Sequence, residues 1–320
     1  MNPTLKIGTR ESELAVWQAT QVQTLLKDAG ISSELIYIKS DGDINLVTPL
    51  YELGVQGIFT KTLDAALLNN KIDIAVHSMK DVPTQLAKGI KQAAVLKRGS
   101  YKDVLVYKEQ TIVDKWKLTN DSKNFSLQFD GTIATSSIRR KAQWLNRYPD
   151  HIFENLRGNI NTRIKKLDQS NWNGAIFAAA GLERINLRPE NSIDLNWMLP
   201  APAQGAIMVV CREDDSFSFE VCKVFNDADT ALCTKLERDF LRTLLGGCST
   251  PISALAEIKD KDDVIIFKGN ICSVDGREKI EINKEDLIKD SEQLGVNAAN
   301  EILKDTQAQK IIHSIRNEKS

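Results

Sequence analysis

Three short stretches hold residue types that could do chemistry. The first is AVHSMKDVP at 75–83, which follows an apolar run over 72–76 that reads as a buried strand. Open α/β sheets place their ligands beyond the carboxyl ends of strands, and His77, Ser78, Lys80 and Asp81 crowd into that end. A partly dehydrated carboxylate beside a lysine can hold a cationic intermediate or move protons. The same spacing also fits a turn in which Asp81 caps a helix and Lys80 stands in solvent.

The second stretch is TSSIRR at 135–140, where a predicted strand ends in Ser136 and Ser137 and a helix begins. Arg139, Arg140 and Lys141 then fall in its first turns, where the helix dipole disfavours cations. An anionic ligand over that terminus reverses the sign of the effect. Residues 131–167 hold eight Lys/Arg against two acids, a net of +6, with Arg157 and Arg163 again just after a predicted strand. A solvated helix face is the other reading, chiefly for Arg147, Lys165 and Lys166. The third stretch is LLGGCSTP at 244–251, which places Cys248 on a glycine-bearing loop, as a nucleophile or attachment point. A buried, inert thiol is the alternative there, and it suits Cys211 and Cys272, which sit in strand-like runs.

The elements that must position these groups alternate. Strands are predicted over 5–9, 34–39, 72–76, 132–135, 152–156, 175–179 and 206–211, and helices over 14–26, 59–68, 137 onward and 159–168. This rhythm predicts mostly parallel sheets covered on both faces. Residues 41–57 form a glycine-bearing segment and 114–130 a polar surface insertion. From 227 the pattern changes to a helix over 228–244, strands over 252–258 and 264–271, and a late helix over 291–303, an α+β appendage.

The chain has 320 residues, 42 Lys+Arg against 43 Asp+Glu, and five cysteines without CxxC spacing. That length is enough for two or three domains. The charge balance and the lack of interleaved aromatics argue against a nucleic-acid binder. No run approaches a membrane span, the start carries no leader pattern, and the three histidines are too scattered for a metal site. A cytoplasmic protein without metal, membrane or nucleic-acid partners is expected.

Eight stretches, in order, resemble the porphobilinogen deaminase (hydroxymethylbilane synthase) family: IGTRESELAVWQA, GIFTKTLDAALL, DIAVHSMKDVP, TSSIRRKAQ, LRGNINTRIKKLD, AAAGLERI, PAPAQGAI and ERDFLRTLLGGCSTPI. The resemblance implies an α/β fold of two doubly wound, periplasmic-binding-protein-like lobes plus a small α+β C-terminal domain. The implied division is 1–98 with 201–216, then 99–200, then 217–320. It implies a monomeric transferase that joins four porphobilinogen molecules head to tail, losing ammonia, and releases hydroxymethylbilane for tetrapyrrole (haem-type) biosynthesis. A covalent dipyrromethane cofactor is implied, one per chain, on a thioether to Cys248. Asp81 matches the catalytic aspartate, which would steady a cationic azafulvene and relay protons. Arg10, Ser12, Ser78, Lys80, Ser136, Ser137, Arg139, Arg140, Arg157, Arg163 and Arg184 match carboxylate-binding positions. Gln18, Asp43, Phe59 and Gln204 match cleft or lid positions. Glu52 and Gln56 stand where relatives often have lysine, and Ala203 where they often have glycine. The non-enzymatic alternative, a two-lobed receptor for a polycarboxylate, accounts for the arginines but not for Cys248.

Overall fold

The computed structural model describes residues 4–39, 60–116, 131–244, 250–259 and 263–317. In chain order the first elements are β1 (Leu5–Thr9), α1 (Glu13–Asp28), β2 (Ser33–Tyr37), α2 (Lys61–Leu68), β3 (Ile74–Ser78) and β4 (Ile90–Val95). The chain then crosses to β5 (Asp103–Tyr107), α3 (Thr111–Lys115), β6 (Thr132–Ala134), α4 (Ile138–Arg147), β7 (Ile152–Glu154), α5 (Ile160–Gln169), β8 (Gly174–Ala178), α6 (Ala179–Arg184) and β9 (Ser192–Asp194). It returns through β10 (Ile207–Arg212) and α7 (Ser216–Lys223). It ends in α8 (Ala228–Leu244), β11 (Ile252–Lys259), β12 (Val264–Cys272), β13 (Lys279–Leu287), α9 (Leu294–Ile302) and α10 (Thr306–Asn317).

Two five-stranded sheets result, ordered β2-β1-β3-β10-β4 and β7-β6-β8-β5-β9. Each has one strand running against the rest, β10 in the first and β5 in the second, so the parallel reading holds for the other strands of each. Both reversed strands follow a crossing between lobes, which explains why local periodicity does not reveal them. Alternation sends Ile74 and Val76 to the α1 side of the first sheet and Ala75 to the α2 side. Apolar side chains on both faces are the mark of a strand buried between helix layers. The second sheet repeats this, with Leu105, Ile133 and Ile176 facing Trp144, and Val104, Val106 and Phe177 on the other side.

The third core lies between the antiparallel β11-β12-β13 sheet and α8, α9 and α10, around Leu236, Phe240, Phe267 and Ile311. The predicted helix over 228–244 matches α8. The strand β13 has no counterpart in the sequence reading, because its burial alternates irregularly among charged residues on a half-wet edge. Residues 216–223 were expected partly in the third unit. They form α7, whose Cys222 and Phe219 pack in the first core instead. The predicted surface insertion also begins too early, since Trp116 is buried against Trp144 and His151. Residues 117–130 lie outside the described residues.

Candidate functional site

The predicted strand over 72–76 is shifted to Ile74–Ser78, because β10 pairs with it as far as Ile207 opposite Ser78. A single 3-10 turn, Met79–Asp81, follows directly. Buried Met79 anchors the turn: its N–H donates to the Ala206 carbonyl (3.0 Å) and its carbonyl accepts from Val82 N–H (3.1 Å). Val82 is extended ahead of Pro83, which disfavours helix at the residue before it. Asp81 therefore caps no helix, and the capping alternative is excluded. Lys80 is not in free solvent either, because its Nζ donates to Gln204 Oε1 at 3.2 Å. Burial pushes Lys80 down to about 8, with Arg140 and Arg139 acting in the same direction and Asp81 and Asp103 opposing them.

Asp103, which the sequence reading missed, organises the opposite wall. This fully buried carboxylate at the head of β5 accepts from Arg139 Nη1 (2.7 Å), Arg140 Nε (2.9 Å) and Gln204 Nε2 (3.0 Å). The two guanidiniums outweigh desolvation and hold its carboxyl well below the usual carboxylate range. Arg139 also donates to the Leu199 carbonyl and Arg140 to that of Ile176. The sequence reading meets the arginines of α4 with an anionic ligand; the fold adds a counter-charge of its own, 36 and 37 residues away. Ser137 is the N-cap of α4 and accepts from the Arg140 N–H. An acid opening the apolar run DVLVY was the one available signal for Asp103.

Gln204 joins the walls. It donates to the Tyr101 carbonyl (2.7 Å) and to Asp103, while accepting from Lys80. Its neighbours carry the second crossing between lobes. Ala203 has φ 61 and Gly205 φ 88, both left-handed. A Cβ on Gly205 would stand 2.6 Å from the Ser100 carbonyl. A left-handed backbone strains Ala203, and a glycine would adopt it without that cost.

The charges around Asp81 are mostly positive. Burial, with Arg140 and Arg157 adding repulsion, pushes Arg163 down to about 10 against the pull of Asp81. Desolvation lowers Arg157 as well. Dehydrated guanidiniums that repel one another are relieved by anionic ligand groups, so this donor set fits a chain of pyrroles bearing carboxylates. His77 sits at the same end of β3, and its Nε2 has no hydrogen-bond partner among the described residues. Burial and Arg10 push it down to about 4, so it is neutral at pH 7.

Other expected residues separate from this cluster. Gln18 is buried and donates to Ser78 Oγ at 2.8 Å, so these two satisfy each other. Ser12 holds the N-cap position of α1 without a side-chain capping bond. Arg184 donates to the Gly205 carbonyl at 2.6 Å and lies over the Trp17 ring. It lines a cavity of about 530 Å³ with Trp17, Lys97, Glu183 and Phe225, and neither Asp81 nor Lys80 lines that cavity. Ser136 is half-buried ahead of α4. Asp43, Glu52, Gln56, Phe59 and Cys248 lie outside the described residues. The four described cysteines are buried, and burial pushes Cys211 up to about 11 and Cys222, Cys233 and Cys272 up to about 12. Among the described residues no group is placed to hold a metal, and no helix is long and apolar enough to cross a membrane.

Two α/β lobes meet at two walls, Asp81 and Lys80 on one and Asp103, Arg139 and Arg140 on the other, with Gln204 bonded to both. Residues 5–220 match the family model "Porphobilinogen deaminase, dipyromethane cofactor binding domain", and 231–304 match "Porphobilinogen deaminase, C-terminal domain". The "Porphobilinogen deaminase" of Chlorobium phaeobacteroides (strain BS1) is 39% identical over 324 residues, covering 99% of each chain. That of Syntrophotalea carbinolica is 38% identical over 304 residues, covering 93% of this chain and 92% of its own. Among solved structures, the methionine binding protein MetQ aligns with a TM-score of 0.43 at 15% identity, over 71% of this chain and 91% of its own. The chain belongs to the porphobilinogen deaminase family.

Proposed function

We propose that this chain condenses four porphobilinogen molecules head to tail, releasing ammonia and then hydroxymethylbilane, in tetrapyrrole biosynthesis. The observation that carries the reading is Asp81 on its short turn, whose carboxylate acts electrostatically on Lys80, Arg140 and Arg163. The Asp81 carboxylate steadies positive charge on the substrate methylene carbon as ammonia leaves, then takes the proton displaced from the pyrrole ring. Lys80, Arg10, Arg157 and Arg163 bind acetate and propionate groups, with Ser12 and Ser136 as neutral donors. Arg139 and Arg140, steadied by Asp103 and the Ser137 cap, keep the opposite wall positive. Arg184 binds a carboxylate further along the crossing.

A dipyrromethane cofactor supplies, when bound, the pyrrole carbon to which the first unit is added, and Cys248 is the residue proposed to hold it. Burial of the four described thiols supports that choice, since a thiol must become thiolate to act. We read the chain as a cytoplasmic monomer, following the family resemblance. Its units are 1–98 with 201–216, then 99–200, then the C-terminal part, with α7 added to the first. The deciding test is intact mass under denaturing conditions, for wild type and Cys248→Ala, with turnover of Asp81→Asn. The reading expects a mass excess of two linked pyrrole units in wild type and none in Cys248→Ala. It expects Asp81→Asn to carry the adduct with turnover nearly abolished. A wild type without the excess after expression with porphobilinogen, or an Asp81→Asn enzyme of ordinary activity, would overturn it.

A further inference from the structure

The turn that carries Asp81 is short and intrinsically weak. A 3-10 segment of three residues has few internal hydrogen bonds, and those it has are of poor geometry. Pro83 donates none. Left to itself, Met79–Asp81 could pivot about Ser78 and carry the carboxylate with it. The structure holds it from outside. Arg238, in the middle of α8, sends Nη1 to the Val82 carbonyl (2.9 Å) and, more distantly, to that of Met79 (3.4 Å). Its Nη2 reaches the Pro83 carbonyl at 2.6 Å. These acceptors bracket Lys80 and Asp81 on both sides. The guanidinium is largely buried, so water does not compete for the same carbonyls.

A planar fork of donors is what this arrangement needs. Arginine can satisfy several carbonyls in fixed relative positions, whereas a lysine is a single point on a flexible stem. The support behind Arg238 is rigid as well. Its neighbour Glu237 is fully buried and accepts from Arg98, from Ala203 N–H and from Ala256 N–H. One turn of α8 thus grips both crossings between lobes and the Asp81 turn together, although α8 belongs to the third core.

We infer that Arg238 is a positioning residue for Asp81, and that through it the third unit sets the place of the carboxylate in the cleft. This inference rests on the role proposed for Asp81. A misplacement of about 1 Å costs roughly 100-fold in rate, so loss of the grip should appear in kcat far more than in KM. Arg238 touches neither substrate nor cofactor on this view and acts only through the turn.

The test uses the cofactor-loaded enzyme and the variants Arg238→Gln and Arg238→Lys. Ile312→Ala, which opens the third core away from the turn, serves as a control for general destabilisation. Intact mass establishes that each variant carries the same adduct as wild type. Hydrogen exchange of peptides spanning 79–86 then reads the turn without reference to activity. In Arg238→Gln that exchange should quicken about tenfold or more, with β12 peptides unchanged. Its kcat should fall about 100-fold while KM stays within about threefold. Arg238→Lys should fall between wild type and Arg238→Gln on both readouts, and it decides the matter if Arg238→Gln does not fold. Ile312→Ala should lose thermal stability with wild-type kcat and wild-type exchange over 79–86.

Wild-type exchange and kcat in Arg238→Lys or Arg238→Gln would overturn the inference. So would a kcat loss shared by Ile312→Ala, or one that merely tracks loss of the adduct. A wild type inert toward porphobilinogen would overturn the proposed function and, with it, any positioning of a catalytic group. Quickened exchange at 79–86 would still show that Arg238 holds the turn, so the two failures are distinguishable.

Discussion

Replacing Glu237 by glutamine probes the joint where all three cores meet. Each carboxylate oxygen takes two donors. Oε1 accepts from Arg98 Nη1 (2.6 Å) and Ala256 N–H (2.8 Å), and Oε2 accepts from Arg98 Nη2 (3.0 Å) and Ala203 N–H (2.6 Å). Glutamine has nearly the same shape but turns one oxygen into a donor, so whichever way the amide is set, an NH2 group faces two N–H groups. Arg98, whose side chain is 11% exposed, also loses its counter-charge. Removing one partner of a buried ion pair costs about 3–5 kcal/mol, and the opposed backbone donor keeps the value at the upper end. At about 2–4 °C per kcal/mol for a domain of this size class, Glu237→Gln should melt ~10–15 °C below wild type in scanning calorimetry. Adding Arg98→Met should cost less than the sum of the single changes, with a coupling of about 2 kcal/mol, because it removes the charge that the first change stranded. A melting temperature within 2 °C of wild type, or strictly additive losses, would refute the account of Glu237 as the acceptor that ties the crossings to α8.

Two further predictions come from the cluster around Asp81. Asp103→Asn strands Arg139 and Arg140 in a dry site, and it should lower stability by about 3–5 kcal/mol and raise KM for porphobilinogen; urea unfolding and initial rates check this, and an unchanged KM would separate Asp103 from substrate binding. Lys80 is pushed down to about 8, so its charge is present below that pH and lost above it. Accordingly kcat/KM should fall through an inflection near pH 8, and Lys80→Arg should remove that inflection from the range below pH 9.

Much of the architecture was legible as local pattern. Apolar runs marked β1, β3 and β8 as strands covered on both faces, and helical spacing marked α1, α5 and α8. The motif AVHSMKDVP could be placed at a strand end because a strand boundary is a property of a few adjacent residues. The same holds for the start of α4, read at 137 and found at Ile138. Reversed strands β5 and β10 were not legible, because direction within a sheet depends on where a crossing returns the chain. The outcome for Arg139 and Arg140 could not be read either. Their spacing showed that a helix terminus carried two cations but not that Asp103 would meet them.

The sequence by itself therefore determined which residue types stand at which element ends: Asp81 and Lys80 after β3, and arginines at the start of α4. Tertiary structure alone decided what those groups face. Arg98 meets Glu237 across 139 positions, Gln204 reaches Lys80 across 124, and Arg238 reaches the Val82 carbonyl across 156. Periodicity and capping act over one or two turns of chain, whereas the partner of a buried charge is set by which distant segments the cores bring into contact. Only there is water excluded, and only there does an ion pair or a hydrogen-bonded carbonyl acquire enough energy to fix a distant side chain in place.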